Sequence, residues 1–216
     1  MATRKCFLIN TNNEVEEVFI EFQYISGRAF SQQVKCAKSL EDAIKKAFPN
    51  SNHLEVSTKS SKELGTKLSA FNLILDNHSV ESIYQSSKVF EGGIQYEFLL
   101  EKNPFEAKRY IRENGQGRLV KFRYKETDYP LVPETAFYDW LFINALDKSE
   151  YAEQVLEYNI FSDIEFNDKK AISCQARSVA MYVAMVKNKE KDKYLVNFES
   201  FIKIYEKYGT QQLSLI

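Results

Sequence analysis

"NHSVESIYQSSKVFEGG", residues 77–93, reads as a short helix with two marked ends. Ser79 is placed to cap its first turn, and Gly92 to close it in a left-handed conformation. Val80, Ile83, Tyr84 and Phe90 form an apolar side. Glu81, Gln85 and Lys88 form a polar row, within roughly 60° of one another at about 100° per residue. A polar row opposite an apolar one is the pattern of a helix lying on a protein surface. An acid, an amide and an amine in file are also what one wall of a polar pocket would carry. The rest of the chain has to decide between a solvated face and a site.

Working outward, "KCFLIN" and "EVEEVFIEFQYI" read as two strands joined by the turn "TNN", the second with Val18, Ile20, Phe22 and Tyr24 on one face. "SLEDAIKKAFP" is expected to be a helix capped by Ser39 and ended before Pro49. "HLEVS" and "FNLILD" are short strands on either side of "TKSSKELGTKLSA". "NPFEAKRYIRENG" has Asn103 as cap, Pro104 at the first helical position and Gly115 past the end. "RLVKFRY" is a strand, and "VPETAFYDWLFINALDK" and "SEYAEQVLEYN" are helices. "DKKAISCQARSVAMYVAMVKN" is a long helix, and "YLVNFESFIKIYEKYG" a closing amphipathic one. The fold class is α+β, early strands followed mostly by helices. Residues 1–53 are expected to be a hairpin-plus-helix addition packed on a core of residues 54–216, in one compact domain overall.

The chain has 216 residues, 44% hydrophobic and 27% charged, which is enough for a sizeable core. Its net charge of −1 gives no global basic field for non-specific nucleic-acid binding, so any such contact needs a local patch. Three scattered cysteines, Cys6, Cys36 and Cys174, suit a reducing cytoplasm. With two histidines and no CxxC pair, a zinc site is not expected, and neither is any cofactor. The first ten residues are too polar for a secretory signal, and no apolar run reaches membrane-spanning length. A soluble cytoplasmic protein without a membrane partner is expected.

Three further features stand out. "LSAFNL", residues 68–73, sets Ser69 and Asn72 around Phe71, which turn chemistry alone could explain. "FSDIEFN", residues 161–167, places Asp163 among aromatics, where an ordinary turn former would also sit. The helix read over 171–187 is apolar over Ile172, Ala176, Val179, Ala180 and Val183, widened by Met181, Tyr182 and Met185. It must therefore be largely buried. Gln175 and Arg177 enter at its N-terminal end, where free N–H groups favour anions.

Taken together, "LSAFNL", "VESIYQSSK", "IFSDIEFN" and "CQARSVAMYVAMV" resemble, in order and spacing over about residues 54–188, the signature segments of the NADAR (YbiA-like) family. The phrases "LEVSTKSSKELGTKLSAFNL", "YPLVPETAFYDWLFINAL" and "SCQARS" are most similar to the NADAR antitoxins that accompany DarT-type DNA ADP-ribosyltransferase toxins. Glu81, Gln85 and Lys88 stand at the family's Glu, Gln and Lys. Ser82 replaces the usual His, Ser86 the usual Ala, and Glu165-Phe166 a frequent Trp-Gly. The family's Trp has no secure counterpart; Trp140, the single Trp of the chain, could fill that place or pack in a structural helix. The resemblance implies hydrolysis of an N-glycosidic bond to ribose, and in the antitoxin branch removal of ADP-ribose from guanine in DNA.

With that implication, the row reads as a pocket wall. Cleavage of such a bond builds positive charge at the anomeric carbon, which a carboxylate stabilises while a second group assists the leaving base. Glu81 and Asp163 are the expected pair. Lys88 could instead attack as a neutral amine and form a Schiff base. Because Glu81 would hold that amine protonated, direct hydrolysis is the expected route. Ser69, Phe71, Asn72, Tyr84 and Gln85 are expected to bind substrate, with Phe71, Tyr84 or Trp140 stacking on the base. Gln175 and Arg177 would hold the pyrophosphate. Lys59, Lys62, Arg118, Lys121 and Arg123 are candidate DNA phosphate contacts, or parts of a charged solvent face. The implied partners are ADP-ribosylated DNA, ADP-ribose and the cognate DarT-type toxin. A non-catalytic antitoxin that grips toxin or ADP-ribose, and a glycosidase of a free riboflavin-pathway or nucleotide metabolite, are the alternatives.

Overall fold

The computed structural model describes residues 1–27, 29–167 and 172–207, and the fold is α+β. In chain order it begins β1 (Ala2–Ile9), β2 (Val15–Phe22), α1 (Phe30–Ala47), β3 (His53–Glu55) and α2 (Glu63–Lys67). There follow β4 (Ile74–Leu75), β5 (His78–Ser79), α3 (Val80–Ser86), β6 (Lys88–Phe90), β7 (Ile94–Gln95), α4 (Pro104–Asn114), β8 (Leu119–Tyr124), β9 (Thr127–Tyr129) and α5 (Ala136–Asp147). The chain ends with β10 (Ile160–Ser162), α6 (Gln175–Lys187), α7 (Lys191–Tyr194), α8 (Phe198–Phe201) and α9 (Ile204–Lys207). These elements form two compact units, Met1–Ser69 with Glu150–Ile216, and Ala70–Ser149.

In the first unit the strands line up as β2-β1-β10-β3, with β10 and β3 parallel and the other pairs antiparallel. The β1–β2 hairpin sets Lys5 against Glu17 at 2.7 Å. One face of this sheet, through Cys6, Ile20, Phe22 and Ile160, packs on the apolar stripe Cys36, Ala37, Leu40 and Ile44 of α1. That stripe explains a difference from the sequence reading. Cys36 and Ala37 extend the 3.6-residue periodicity backward from Leu40, so the helix starts at Phe30 and Ser39 is not a cap. Ser39 lies mid-helix and donates to the Gln23 carbonyl at 2.9 Å. Of the β2 residues, Ile20 and Phe22 turn inward, whereas Tyr24, past the strand, is half exposed.

Three helix expectations shorten. "SEYAEQVLEYN" is helical only as a single 3-10 turn, Gln154–Glu157, with Val155 alone of those four buried. The helix read from Asp168 begins at Gln175: Ile172 is exposed, and residues 168–171 lie outside the described residues. From Gln175 to Met185 every residue of α6 is buried. The closing amphipathic helix is two short ones, α8 and α9, with only its first residue, Tyr194, in α7, because Asn197 starts a new turn by accepting from Ser200 N–H at 2.8 Å. Its last two residues, 208 and 209, lie outside the described residues, as does the rest of the chain to 216.

In the second unit the strand order is β7-β6-β8-β9, antiparallel throughout, beside the two-residue hairpin β4-β5. That hairpin turns through Asp76 and Asn77, both at positive φ, and delivers the chain into α3. Asn103 caps α4 through Phe105 N–H at 2.9 Å, and Pro104 follows at the first helical position. α5 has nine buried positions among its twelve, so it is a core helix. No helix among the described residues is long and apolar enough to cross a membrane.

Gly65 shows how tightly α2 is set on β3. A Cβ there would lie 2.0 Å from the Glu55 carbonyl oxygen and 2.3 Å from Ser60 Oγ. Alanine would gain about 1 kcal/mol of helix propensity, yet no Cβ fits against a strand carbonyl without moving it, an overpacking cost of about 1–3 kcal/mol or more. Gly65→Ala is therefore expected to lower the urea unfolding midpoint. An unchanged or raised midpoint would mean that α2 is free to move off β3.

Candidate functional site

Local hydrogen bonding builds the start of α3. Ser79 Oγ accepts from Ser82 N–H at 3.1 Å, the expected cap. Ser82, in the family's His position, donates to the Lys102 carbonyl at 3.0 Å. Val80 N–H donates to the Leu73 carbonyl at 3.0 Å and Glu81 N–H to the Ala70 carbonyl at 2.9 Å. The 70–73 segment is thereby tied to the first turn of the helix that carries the polar row.

The end of α3 differs from the expectation. The helix stops at Ser86, not at Gly92. Ser86 Oγ, Ser87 Oγ and Ser87 N–H all donate to the Ile83 carbonyl, at 3.0, 2.7 and 3.0 Å. That competition for one acceptor ends the ladder, and Val89 and Phe90 then pair as a strand with β8. Gly92 does adopt φ 75°, but in the turn between β6 and β7. Lys88 thus sits on β6 and not two helical turns beyond Glu81.

The row nevertheless survives as a chain of hydrogen bonds. Lys88 Nζ donates to Gln85 Oε1 at 2.8 Å, and Gln85 Nε2 donates to Glu81 Oε1 at 2.7 Å. Glu81 and Gln85 are buried, at 4% and 5% exposure. The surface-helix reading fails here: every α3 residue except Tyr84 is buried. Tyr84 lies under the amine, with Lys88 Nζ 4.8 Å from its ring centre, and packs on Phe122 at 5.3 Å and edge-on to Tyr138 at 5.2 Å. Lys108 of α4 approaches the other end, its Nζ 3.5 Å from Glu81 Oε1 and 5.1 Å from the centre of the Phe71 ring. Phe71 packs in turn on Phe105, ring centres 4.4 Å apart and planes tilted by 38°.

Burial pulls the Lys88 amine down from its ordinary 10.5 to about 8. Glu81 opposes that shift and Lys108 reinforces it. The attraction of Glu81, which on sequence grounds would hold Lys88 charged, is present but outweighed by loss of solvent around the amine.

A second polar group lies wholly within the first unit. Glu55, at the end of β3, accepts from Ser57 Oγ at 2.6 Å, from Ile164 N–H at 2.8 Å and from Ser162 Oγ. Ser162 accepts in turn from His53 Nε2 at 2.8 Å; burial lowers His53 to about 4, which keeps its ring neutral. Asp163 follows directly, 6% exposed, accepting from Glu165 N–H at 2.9 Å and from the Gln175 side chain. Burial raises both carboxyls above the usual range. Cys174, at the start of α6, is raised well above its ordinary 9.0 by burial and by Asp163, although the Ala176 and Arg177 N–H groups donate to its sulfur.

The expected site residues therefore assemble in two groups, Glu81, Gln85, Lys88, Tyr84 and Phe71 in one unit, Asp163 and Gln175 in the other. Ser69 is buried, with its N–H on the Thr66 carbonyl at 3.2 Å, and Asn72 is exposed. Trp140 is half-buried in α5 and donates its indole N–H to the Tyr129 hydroxyl. Arg177 is buried, 5.4 Å from the centre of the Tyr205 ring. Among the candidate phosphate contacts, Lys59 lies inside the fold, 3.1 Å from Glu165. Lys62 donates to the His53 carbonyl at 2.6 Å. Arg118 pairs with Glu91 at 3.2 Å, and Lys121 and Arg123 both pair with Asp128, at 2.6 and 2.7 Å. Sequence reasoning missed Glu55 and Lys108. The signal for Glu55 was a lone acid between Leu54 and Val56 in a short apolar strand. Lys108 meets Glu81 only through the packing of α4 on α3, and the sequence carries no sign of it.

Over residues 2–214 the sequence matches the family described as DarT1-associated NADAR antitoxin, and the chain belongs to that family. No curated protein matches it. An antitoxin role associated with a DarT1 toxin follows from the family.

Asp163 has a stability signature of its own. Its carboxyl binds a proton more tightly folded than unfolded, because burial, with Glu55 and Glu165 in the same direction, disfavours the charge. The stability it contributes is full below the unfolded value and is lost as pH rises toward the folded one. Asp163→Asn removes that loss, so its urea midpoint should gain on wild type from pH 5 to pH 8. A difference independent of pH would contradict a protonated, buried Asp163.

Proposed function

We propose that this NADAR antitoxin hydrolyses the N-glycosidic bond joining ADP-ribose to guanine in DNA, undoing the product of a DarT-type toxin. The observation that carries the reading is the buried relay Glu81–Gln85–Lys88. A buried carboxylate and amide leading to a partly buried, weakly basic amine are costly to keep for structure alone. They fit a reaction that needs both a nucleophile and a proton shuttle at a sugar carbon.

Lys88 is the nucleophile in this reading, since at about 8 roughly one amine in ten is neutral at pH 7. Its nitrogen bonds to the anomeric carbon as the bond from that carbon to the guanine nitrogen breaks, the electron pair leaving with guanine. The ring C–O bond then opens to give an imine. The two protons of the amine end on guanine and on the ring oxygen, with Glu81 as carrier. Water adds to the imine carbon, returns the amine with two protons and leaves the aldehyde, which closes to ADP-ribose. Gln85 orients both ends of the relay, and Phe71 offers a ring against which the base can stack.

The test is an oligonucleotide bearing ADP-ribosylated guanine. Free ADP-ribose and unmodified DNA are expected, and binding without release would favour a non-catalytic antitoxin. Glu81→Gln should lose about a hundredfold or more in turnover with an unchanged unfolding midpoint; wild-type turnover would make Glu81 structural. Borohydride added during turnover should leave a reduced sugar adduct on Lys88. An active enzyme that leaves none would favour direct attack by water.

A further inference from the structure

We infer that Lys108, on α4, is a positioning residue for the relay: its ammonium anchors Glu81, and its positive charge weakens the hold of the Lys88 amine on its proton. This rests on the covalent reading of the relay.

The Lys108 side chain is 57% exposed, and an exposed lysine ordinarily extends into water, where an ion pair contributes little. Here it folds back over Phe71 and reaches a carboxylate that is itself buried. α4 is fixed for this purpose by its Asn103 cap and by Ala107, fully buried beside Lys108.

Glu81 Oε1 receives both Gln85 Nε2, at 2.7 Å, and Lys108 Nζ, at 3.5 Å. Lys88 hydrogen-bonds the neutral Gln85 Oε1 instead. A single carboxylate is thus approached by two amines, one paired with it and one held off by an amide. Opposite charge beside an amine favours its protonated form, and like charge disfavours it. Lys108 acts on both counts, offsetting the Glu81 charge and repelling a proton on Lys88.

Other charges near the amine are otherwise engaged. On β8, Lys121 and Arg123 flank Phe122, the strand partner of Lys88, and both pair with Asp128. Also on β8, Tyr124 donates to Asp76 at 2.9 Å. Glu91, just past β6, pairs with Arg118. On the 3-10 turn packed against α3, Glu101 pairs with His78, and Glu97 is exposed. α5 presents Tyr138 to Tyr84, with Asp139 buried. Of all of these, Glu81 and Lys108 are the charges that bear on Lys88.

The experiment titrates the amine in the full-length protein without substrate, by competitive acetylation with acetic anhydride across pH and peptide mass spectrometry. Lys88 should titrate near 8 in wild type. In Lys108→Met the midpoint should rise toward the ordinary lysine value, and in Lys108→Arg it should stay near wild type. Turnover on the ADP-ribosylated oligonucleotide should follow, Lys108→Met losing about tenfold at pH 7 for each unit of rise and recovering at higher pH. A Lys88 midpoint unmoved in Lys108→Met overturns the inference, as does a rise that Lys108→Arg fails to prevent. Absence of turnover in wild type would count against the hydrolase reading instead, because the acetylation profile needs no substrate.

Discussion

The loss of solvent around α3 is the constraint on which the rest depends. Seven residues with a surface helix's sequence pattern are covered on nearly every side, so the polar row is satisfied internally. Glu81 finds Gln85 and Lys108, and Gln85 finds Lys88. Buried polar groups are tolerated only when hydrogen-bonded, and partial satisfaction is worse than an apolar core. The relay meets that condition with one carboxylate, one amide and two amines. The same burial that makes it expensive moves Lys88 to about 8, within reach of the neutral form at physiological pH.

The first unit repeats the theme with different chemistry. Glu55 collects three donors and pins β3 to β10 and to the loop after it. Asp163, one residue beyond that pin, takes Gln175 and Glu165 N–H. Two buried carboxyls in one cluster raise each other's proton affinity. A fold selected for stability alone would place amides or apolar groups there. Acids held protonated by burial in this way cost stability as pH rises.

Much of this was legible in the sequence where the signals are local. The Ser79 and Asn103 caps, Pro104, the β1–β2 hairpin and the order of the main elements all rest on contacts within a few residues. Where a boundary depends on tertiary packing, the reading failed. Ser39 looked like a cap, but the Cys36–Ala37 face carried the helix past it. Two serines ended α3 by crowding the Ile83 carbonyl, whereas their sequence context read as helix interior. Periodicity shows that a face is polar and is silent on what covers it. That is why periodicity showed the row's polarity and not its burial, and why Lys108, brought in by another helix, was invisible.

The central claim is that Lys88 bonds to the sugar, and Lys88→Met tests it most directly. Methionine fills the volume of the buried stem without the amine, so the fold should persist. Single-turnover release of ADP-ribose from a modified oligonucleotide should vanish, while the oligonucleotide still binds. Release within about tenfold of wild type would contradict the account, because loss of a covalent nucleophile costs far more than that.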